Sequence, residues 1–186
     1  ENLYRDALYI DLGDSVIENK FLAALLAILI WGFPNLVRVS LNLFNCNIKI
    51  DALQTLLSSF RCVPGLQFLS CEMSQLTTQA SGLNMITPLE EITKTIKYLK
   101  NLQELEIKLD KIDRNPKTNL NFFQTLSTLP DLISLELSFN SQKVQDCEMV
   151  VMLSSFTKFN NLPKLRFRFE NCLNVTGVVL KEMPVI

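Results

Sequence analysis

The sequence predicts an α/β solenoid of about six stacked strand–helix repeats, and three observations predict it. Apolar residues recur in the pattern LxxLxLxL at starts 5, 36, 66, 102, 132 and 162, with spacings of 31, 30, 36, 30 and 30 residues. Each block alternates apolar with polar residues, which is typical of a strand. Between the blocks the apolar spacing changes to three and four residues, which is typical of an amphipathic helix.

The six blocks predict parallel strands. The block at 36 has Leu36, Val39, Leu41 and Leu43 in its apolar positions, and the four later blocks match as fully. The first block is weak, because Arg5 stands in its leading position. Strand, helix and strand at this period require a parallel arrangement, since a parallel connection needs a crossover of a dozen or more residues.

Helices are predicted between the strands, in chain order. The first, roughly residues 16–31, is apolar nearly all round; its run 21–33 has 13 residues, short of the roughly 20 that span a bilayer. We therefore expect a buried solenoid helix. The four later helices have apolar stripes at Ile50, Leu53, Leu57 and Phe60; Leu89, Ile92, Ile96 and Leu99; Leu120, Phe123, Leu126 and Leu129; and Met149, Met152, Leu153, Phe156 and Phe159.

This pattern resembles the leucine-rich-repeat family in its longer, ribonuclease-inhibitor-like class, over residues 5–172. The family consensus continues with Asn or Cys after the strand and an aliphatic residue two positions later. Cys46 with Ile48 keeps that spacing, whereas Leu76 and Ile112 depart from it. The loose consensus, rich in Asn and Lys, resembles repeats of ciliates and other protists. The resemblance implies a leucine-rich-repeat solenoid, with a curved parallel sheet on the concave side and helices on the convex side.

Composition excludes several classes of function. The 18 basic and 19 acidic residues nearly cancel, which gives no reason to expect nucleic acid or an anionic membrane surface. The absence of histidine excludes Ser-His-Asp and Cys-His nucleophilic sites and His-containing zinc sites within the chain. Five cysteines, an odd number without a CxxC pair, favour reduced, buried thiols in a cytosolic protein over a disulfide framework. We predict no cofactor and no metal.

The outward residues of the strands are the candidate binding site. They predict an acidic centre, a basic last strand and an exposed aromatic side chain: Glu72, Glu104, Glu106 and Glu136, with Lys108 among them; Lys164, Arg166 and Arg168; and Phe68. Glu106 and Glu136 are expected side by side on neighbouring strands, where their like charges repel unless cations approach. Glu136 can also pair with Arg166. We expect this face to bind a protein with a basic patch; the alternative is a solvated face with incidental charge.

Two other functions for this face are disfavoured. General acid–base work by Glu104 and Glu106 would need a pocket that splits their pKa values, and an open curved sheet offers none, so we predict that the protein is not an enzyme. Three cations on the last strand without stacked aromatics are a weak nucleic-acid signature.

The third unit is six residues longer than its neighbours, and segment 74–87 is expected to be either a binding loop or a tolerated surface loop.

The first helix is a second candidate contact surface. Its seven large apolar residues cannot all point into one core: Leu22, Leu25, Leu26, Ile28, Leu29, Ile30 and Trp31. Some are expected to pack on a further segment of chain or a partner subunit, because a terminal repeat normally needs a polar outer face. A fully local core is the alternative.

The sequence therefore predicts one domain over residues 1–186, part of a longer chain. Its predicted function is a protein-binding scaffold in a larger intracellular, cytoplasmic hetero-complex, such as cytoskeletal or ciliary machinery. The alternative is the substrate-recognition arm of a ubiquitin ligase, an F-box-type leucine-rich-repeat protein. That alternative requires an adaptor-binding domain outside these residues.

Overall fold

The computed structural model describes residues 6–17, 20–33, 35–79, 87–112, 116–140, 146–156 and 162–172. Strands and helices alternate along the chain. In order, the elements are β1 (Ala7–Asp11), β2 (Val16–Ile17), α1 (Lys20–Trp31), β3 (Arg38–Asn42), β4 (Asn47–Lys49), α2 (Ile50–Ser59) with a 3₁₀ turn (Phe60–Cys62), β5 (Phe68–Glu72), β6 (Thr77–Gln79), α3 (Pro88–Ile96), β7 (Glu104–Lys108), α4 (Pro116–Leu126), β8 (Ser134–Ser138), α5 (Asp146–Phe156) and β9 (Lys164–Arg168).

The main sheet confirms the predicted strands and their register. It has six parallel strands in the order β1-β3-β5-β7-β8-β9. Equivalent positions of successive units are paired, so Leu69 stands beside Leu105 and Leu105 beside Leu135. This register turns the apolar pattern residues inward along the whole sheet, where Val39, Leu69, Leu105 and Leu135 are buried.

The helices form a second layer, in which each of α1 to α4 packs on the helix that follows it. Packed helices are 8–10 Å apart and hydrogen-bonded strands about 4.8 Å apart. A stack of strand–helix units therefore bends with its sheet on the inner side, which gives the α/β leucine-rich-repeat solenoid its concave sheet face.

A second, smaller sheet corrects the predicted start of the first helix. Val16 and Ile17 form β2 rather than the first helical turn, and β2, β4 and β6 pair in parallel. Backbone bonds in the turns support this sheet, as from the Asn47 N–H to the Ser15 carbonyl at 2.9 Å. An apolar β-branched pair looks continuous with an apolar helix in the sequence, but the ladder to the next unit holds it extended. Among the described helices, none is both long and apolar enough to cross a membrane.

The third unit carries its extra length between β5 and α3, as predicted. The first part of segment 74–87 is not a surface loop, because Ser74 and Leu76 are buried and β6 follows them. Residues 80–86 lie outside the described residues. α3 then begins at Pro88, where the Thr87 side chain accepts a hydrogen bond from the Glu90 N–H at 3.2 Å, the usual arrangement at a helix start.

The predicted helical stripes are mostly buried, with one error in α4. Phe123 and Leu126 are buried as predicted, but Leu120 is 41% exposed and Phe122 is fully buried. Leu120 lies on the same side of the helix as Gln124, one turn later, which is also exposed. The sequence pattern alone did not distinguish the two stripes, because residues 120 and 122 are both apolar. Phe159 lies outside the described residues.

The burial difference within α4 predicts unequal costs of truncation. We expect Phe122→Ala to lower the free energy of unfolding by about 3–5 kcal/mol, because a fully buried ring is lost and a cavity remains. Leu120→Ala should lower it by less than about 1 kcal/mol, as usual for surface positions. Urea unfolding of both variants measures the difference; equal losses would contradict the assigned faces of α4.

Candidate functional site on the concave sheet face

The predicted binding residues lie together on one face of the main sheet. The register places them in three rows that cross the strands. The rows are Ala7, Arg38, Phe68, Glu104, Ser134 and Lys164; Tyr9, Ser40, Ser70, Glu106, Glu136 and Arg166; and Asp11, Asn42, Glu72, Lys108, Ser138 and Arg168. Whether a partner binds these residues stays a prediction.

Lys108 neutralises part of the acidic centre. Its ammonium lies 3.0 Å from a carboxylate oxygen of Glu106 and 3.7 Å from one of Glu72. Partial burial lowers the pKa of Lys108, but the hydrogen bond to Glu106 and the charges of Glu106, Glu72 and Glu136 outweigh it, so the pKa is raised. Lys108 is therefore a permanent cation at neutral pH, held among three carboxylates.

The adjacent glutamates of β7 and β8 are directed to different partners. Glu106 and Glu136 are paired in the register, as predicted. Glu106 also accepts a hydrogen bond from the Ser70 hydroxyl at 3.3 Å. The two carboxylate oxygens of Glu136 each accept one hydrogen bond, from Arg166 at 3.1 Å and Arg168 at 3.0 Å. These separate partners relieve the repulsion that the carboxylates of Glu106 and Glu136 would otherwise exert on each other.

The aromatic residue of the face is covered rather than free. The Arg38 guanidinium carbon lies 4.1 Å from the centroid of the Phe68 ring, within the range of a cation–π contact. Arg38 also lies 3.9 Å from Glu104. The prediction of an exposed Phe68 is therefore corrected: the ring is half-buried because its neighbour in the same row lies over it.

The face is divided in charge despite these ion pairs. Strands β1, β3, β5 and β7 present four carboxylates against two cations on this face: Asp11, Glu72, Glu104 and Glu106 against Arg38 and Lys108. Strands β8 and β9 present one carboxylate against three cations: Glu136 against Lys164, Arg166 and Arg168. The concave face thus has a negative part and a positive part of equal surplus charge.

The turns after the strands contain polar residues that the sequence reasoning missed. The side chain at the first turn position accepts a hydrogen bond from the backbone N–H of the residue at the same position in the next unit. Ser74 accepts from Asp110 at 3.1 Å, Asp110 from Asn140 at 2.7 Å, and Asn140 from Glu170 at 2.7 Å. A polar residue two positions after each of these strands was the available signal. These contacts fix the spacing of successive strands, and hence of the rows on the face.

The thiols form no chemical site in the part of the chain that the structure describes. There, no group of three Cys, Asp or Glu side chains could hold a metal ion. Burial raises the pKa of Cys46 to about 11, and burial together with the charge of Glu106 raises that of Cys71 to about 12. Cys62 corrects the prediction of buried thiols, because its position after α2, in the 3₁₀ turn, leaves it exposed.

Comparisons with known proteins add little to this picture. No family model matches the chain, and neither does any curated protein. Among the matching solved structures is an internalin C2 from Listeria monocytogenes str. 4b F2365, with 14% identity over 96% of this chain and 77% of that chain, at a TM-score of 0.35. The assignment to a leucine-rich-repeat solenoid rests on the strands, their register and the helices.

The thiol environments predict selective reactivity. We expect iodoacetamide at about pH 8 to modify Cys62, and Cys46 and Cys71 to react only after unfolding, because the thiolate is the reactive form. Peptide mapping by mass spectrometry would test this.

The same thiols predict a loss of stability at alkaline pH. Their pKa values rise from 9.0 in the unfolded chain to about 11 and about 12 in the folded chain, so the folded state holds protons that the unfolded state releases. Their contribution should be constant below about pH 9 and should fall as the pH rises from about 9 to 12. Cys46→Ala with Cys71→Ala should reduce that slope; an unchanged slope would contradict the assignment.

Proposed function

We propose that this protein is a non-catalytic scaffold that binds another protein through the concave face of its main sheet. The observation that carries the proposal is the fixed array of charged side chains in register across six strands. Rigid elements hold such an array with little further loss of conformational entropy on binding. The open sheet, in place of a pocket that would perturb a pair of carboxylates, supports binding over catalysis.

The charge division of the face specifies the partner further. A basic patch on the partner would lie over Glu72, Glu104 and Glu106, where carboxylates outnumber cations. An acidic segment would lie over β9, where Lys164 is exposed and forms no ion pair with a carboxylate in the described part of the chain. Complementary charges of this kind set orientation and association rate more than total affinity.

Phe68 would supply apolar contact area at the centre of such an interface. Arg38 covers the ring in the unbound protein, and it is itself about half exposed. A partner carboxylate that drew Arg38 aside would uncover the ring, and a buried aromatic side chain is the usual centre of a binding surface. Both residues would then contact the partner.

We further propose that the repeats are of the ribonuclease-inhibitor-like class and that the protein comes from a protist. We also propose that it belongs to an intracellular hetero-complex with a cytoskeletal or ciliary role. The alternative is the substrate-recognition arm of a ubiquitin ligase, since the fold alone does not imply a function.

Charge reversal on the face tests the proposed function. We expect the double variant Glu104→Lys, Glu106→Lys to lose most of the partner captured by the wild-type chain from its native source, because two cations would then oppose the partner's basic patch. Quantitative mass spectrometry of affinity-purified material measures the loss. Capture by the wild type should also weaken as salt is raised.

A matched variant distinguishes the effect of charges on the concave face from the effect of the net charge of the chain. Asp51→Lys with Asp131→Lys makes the same change in net charge at two exposed carboxylates outside the main sheet. This control should capture the partner as the wild type does. Equal capture by both double variants would contradict binding through the concave face.

A further inference from the structure

Among the described residues, the most exposed large apolar side chains lie in the first unit of the solenoid. The four most exposed are Tyr9 at 65%, Val16 at 63%, Ile28 at 57% and Trp31 at 56%. Exposure of Ile28 and Trp31 confirms that the apolar residues of α1 do not all point into one core. An end that exposes this much apolar surface favours a neighbour.

The edge of β1 offers backbone hydrogen-bonding groups to such a neighbour. In the described chain β1 pairs only with β3. The Asp6 carbonyl accepts from Arg38, and the Leu12 N–H donates to Asn42, so residues 6, 8, 10 and 12 direct their backbone groups toward β3. Because the directions alternate along a strand, the N–H and C=O groups of Ala7, Tyr9 and Asp11 face the open edge.

We propose that this edge binds a second copy of the chain, with the two β1 strands antiparallel about a two-fold axis at Tyr9. Tyr9 then pairs with Tyr9 of the second copy, and Ala7 pairs with Asp11 of the second copy in both directions. The three residues of each β1 strand whose backbone groups face the open edge all fall in hydrogen-bonded pairs, and each pair exchanges two hydrogen bonds. About six backbone hydrogen bonds join the main sheets into one twelve-stranded sheet.

The side chains of β1 suit this pairing. Ala7 faces Asp11 of the second copy, so no like charges meet across the strands. On the inner side Leu8 faces Ile10 of the second copy, which covers Leu8, only partly buried in the single chain. The strand is therefore complementary to itself in this register, as a two-fold interface requires.

The opposite edge of the sheet shows the contrast. β9 presents Lys164, Arg166 and Arg168, so two copies paired there about a central two-fold axis would bring Arg166 against Arg166 of the second copy. Clustered cations of this kind protect an edge strand from pairing. No row of cations protects β1, whose side chains on the concave face are those of Ala7, Tyr9 and Asp11.

Sedimentation velocity of the purified chain tests the association. We expect a concentration-dependent species of twice 21.2 kDa. Tyr9→Pro should weaken it at least about fivefold, because proline removes one edge donor from each copy and two backbone hydrogen bonds are lost from the dimer. The fold should persist, since the Tyr9 N–H does not face β3. Tyr9→Ala, which keeps that N–H, should weaken association less than Tyr9→Pro.

Disulfide formation tests the register without relying on the proline variant. In a background of Cys62→Ser, Tyr9→Cys should form a dimer readily under mild oxidation, since hydrogen-bonded pairs have Cα atoms about 5.5 Å apart, within disulfide range. The matched variant Ala7→Cys should form it at least about tenfold more slowly, because residues 7 of the two copies would be about 13 Å apart.

Two results would overturn the proposal. One is a chain that stays monomeric at concentrations up to about 1 mM, a limit that corresponds to only about 4 kcal/mol of binding free energy. The other is equal cross-linking of the two cysteine variants. Neither result bears on the concave face, whose charge-reversal test concerns a different partner.

Discussion

The turn that follows each strand is the constraint on which the rest of the structure depends. At five of these turns in the described chain, after β1, β3, β5, β7 and β9, the chain leaves the main sheet through a residue of positive φ that is not glycine: Asp14, Asn45, Gln75, Lys111 and Asn171. Left-handed backbone is unfavourable for most residues other than glycine, least so for Asn and Asp, and hydrogen bonds to neighbouring units help to hold it. Backbone bonds join successive turns, as from Gln75 to Asp110 at 2.8 Å. In the later units, side chains at Ser74, Asp110 and Asn140 add a second set of bonds.

A fixed turn spacing explains both faces of the sheet. Because each turn is bonded to the next, the strands pair without slippage, and a slip of one residue would exchange the buried and exposed faces. The same register puts Leu105 beside Leu135 in the core and Glu106 beside Glu136 on the concave face. The ion pairs of Lys108, Arg166 and Arg168 follow from that alignment. The proposed binding surface is thus a consequence of the turns beneath it.

The sequence predicted the strands and their outward residues, but only some of the side-chain contacts, such as that of Glu136 with Arg166. A period-two pattern repeated six times leaves little freedom, so the sequence was enough to place Glu106 beside Glu136 on the same face of the sheet. Contacts across a row depend on rotamers that no pattern contains, which is why the cover of Arg38 over Phe68 was missed. Leu120 was misplaced because two apolar residues competed for one helix face. Val16 and Ile17 were misplaced because their strand exists only through pairing with β4.

The bond between neighbouring turns is tested most directly at Asp110, whose carboxylate also accepts from the Ser138 hydroxyl at 2.7 Å. A double-mutant cycle of Asp110→Ala and Ser138→Ala, followed by urea unfolding, isolates their interaction. The predicted coupling is about 1 kcal/mol or more, with Asp110→Ala alone the costlier single change because it also leaves the Asn140 N–H without its acceptor. Additive effects, within about 0.3 kcal/mol, would contradict the claim that these turns hold successive units in register.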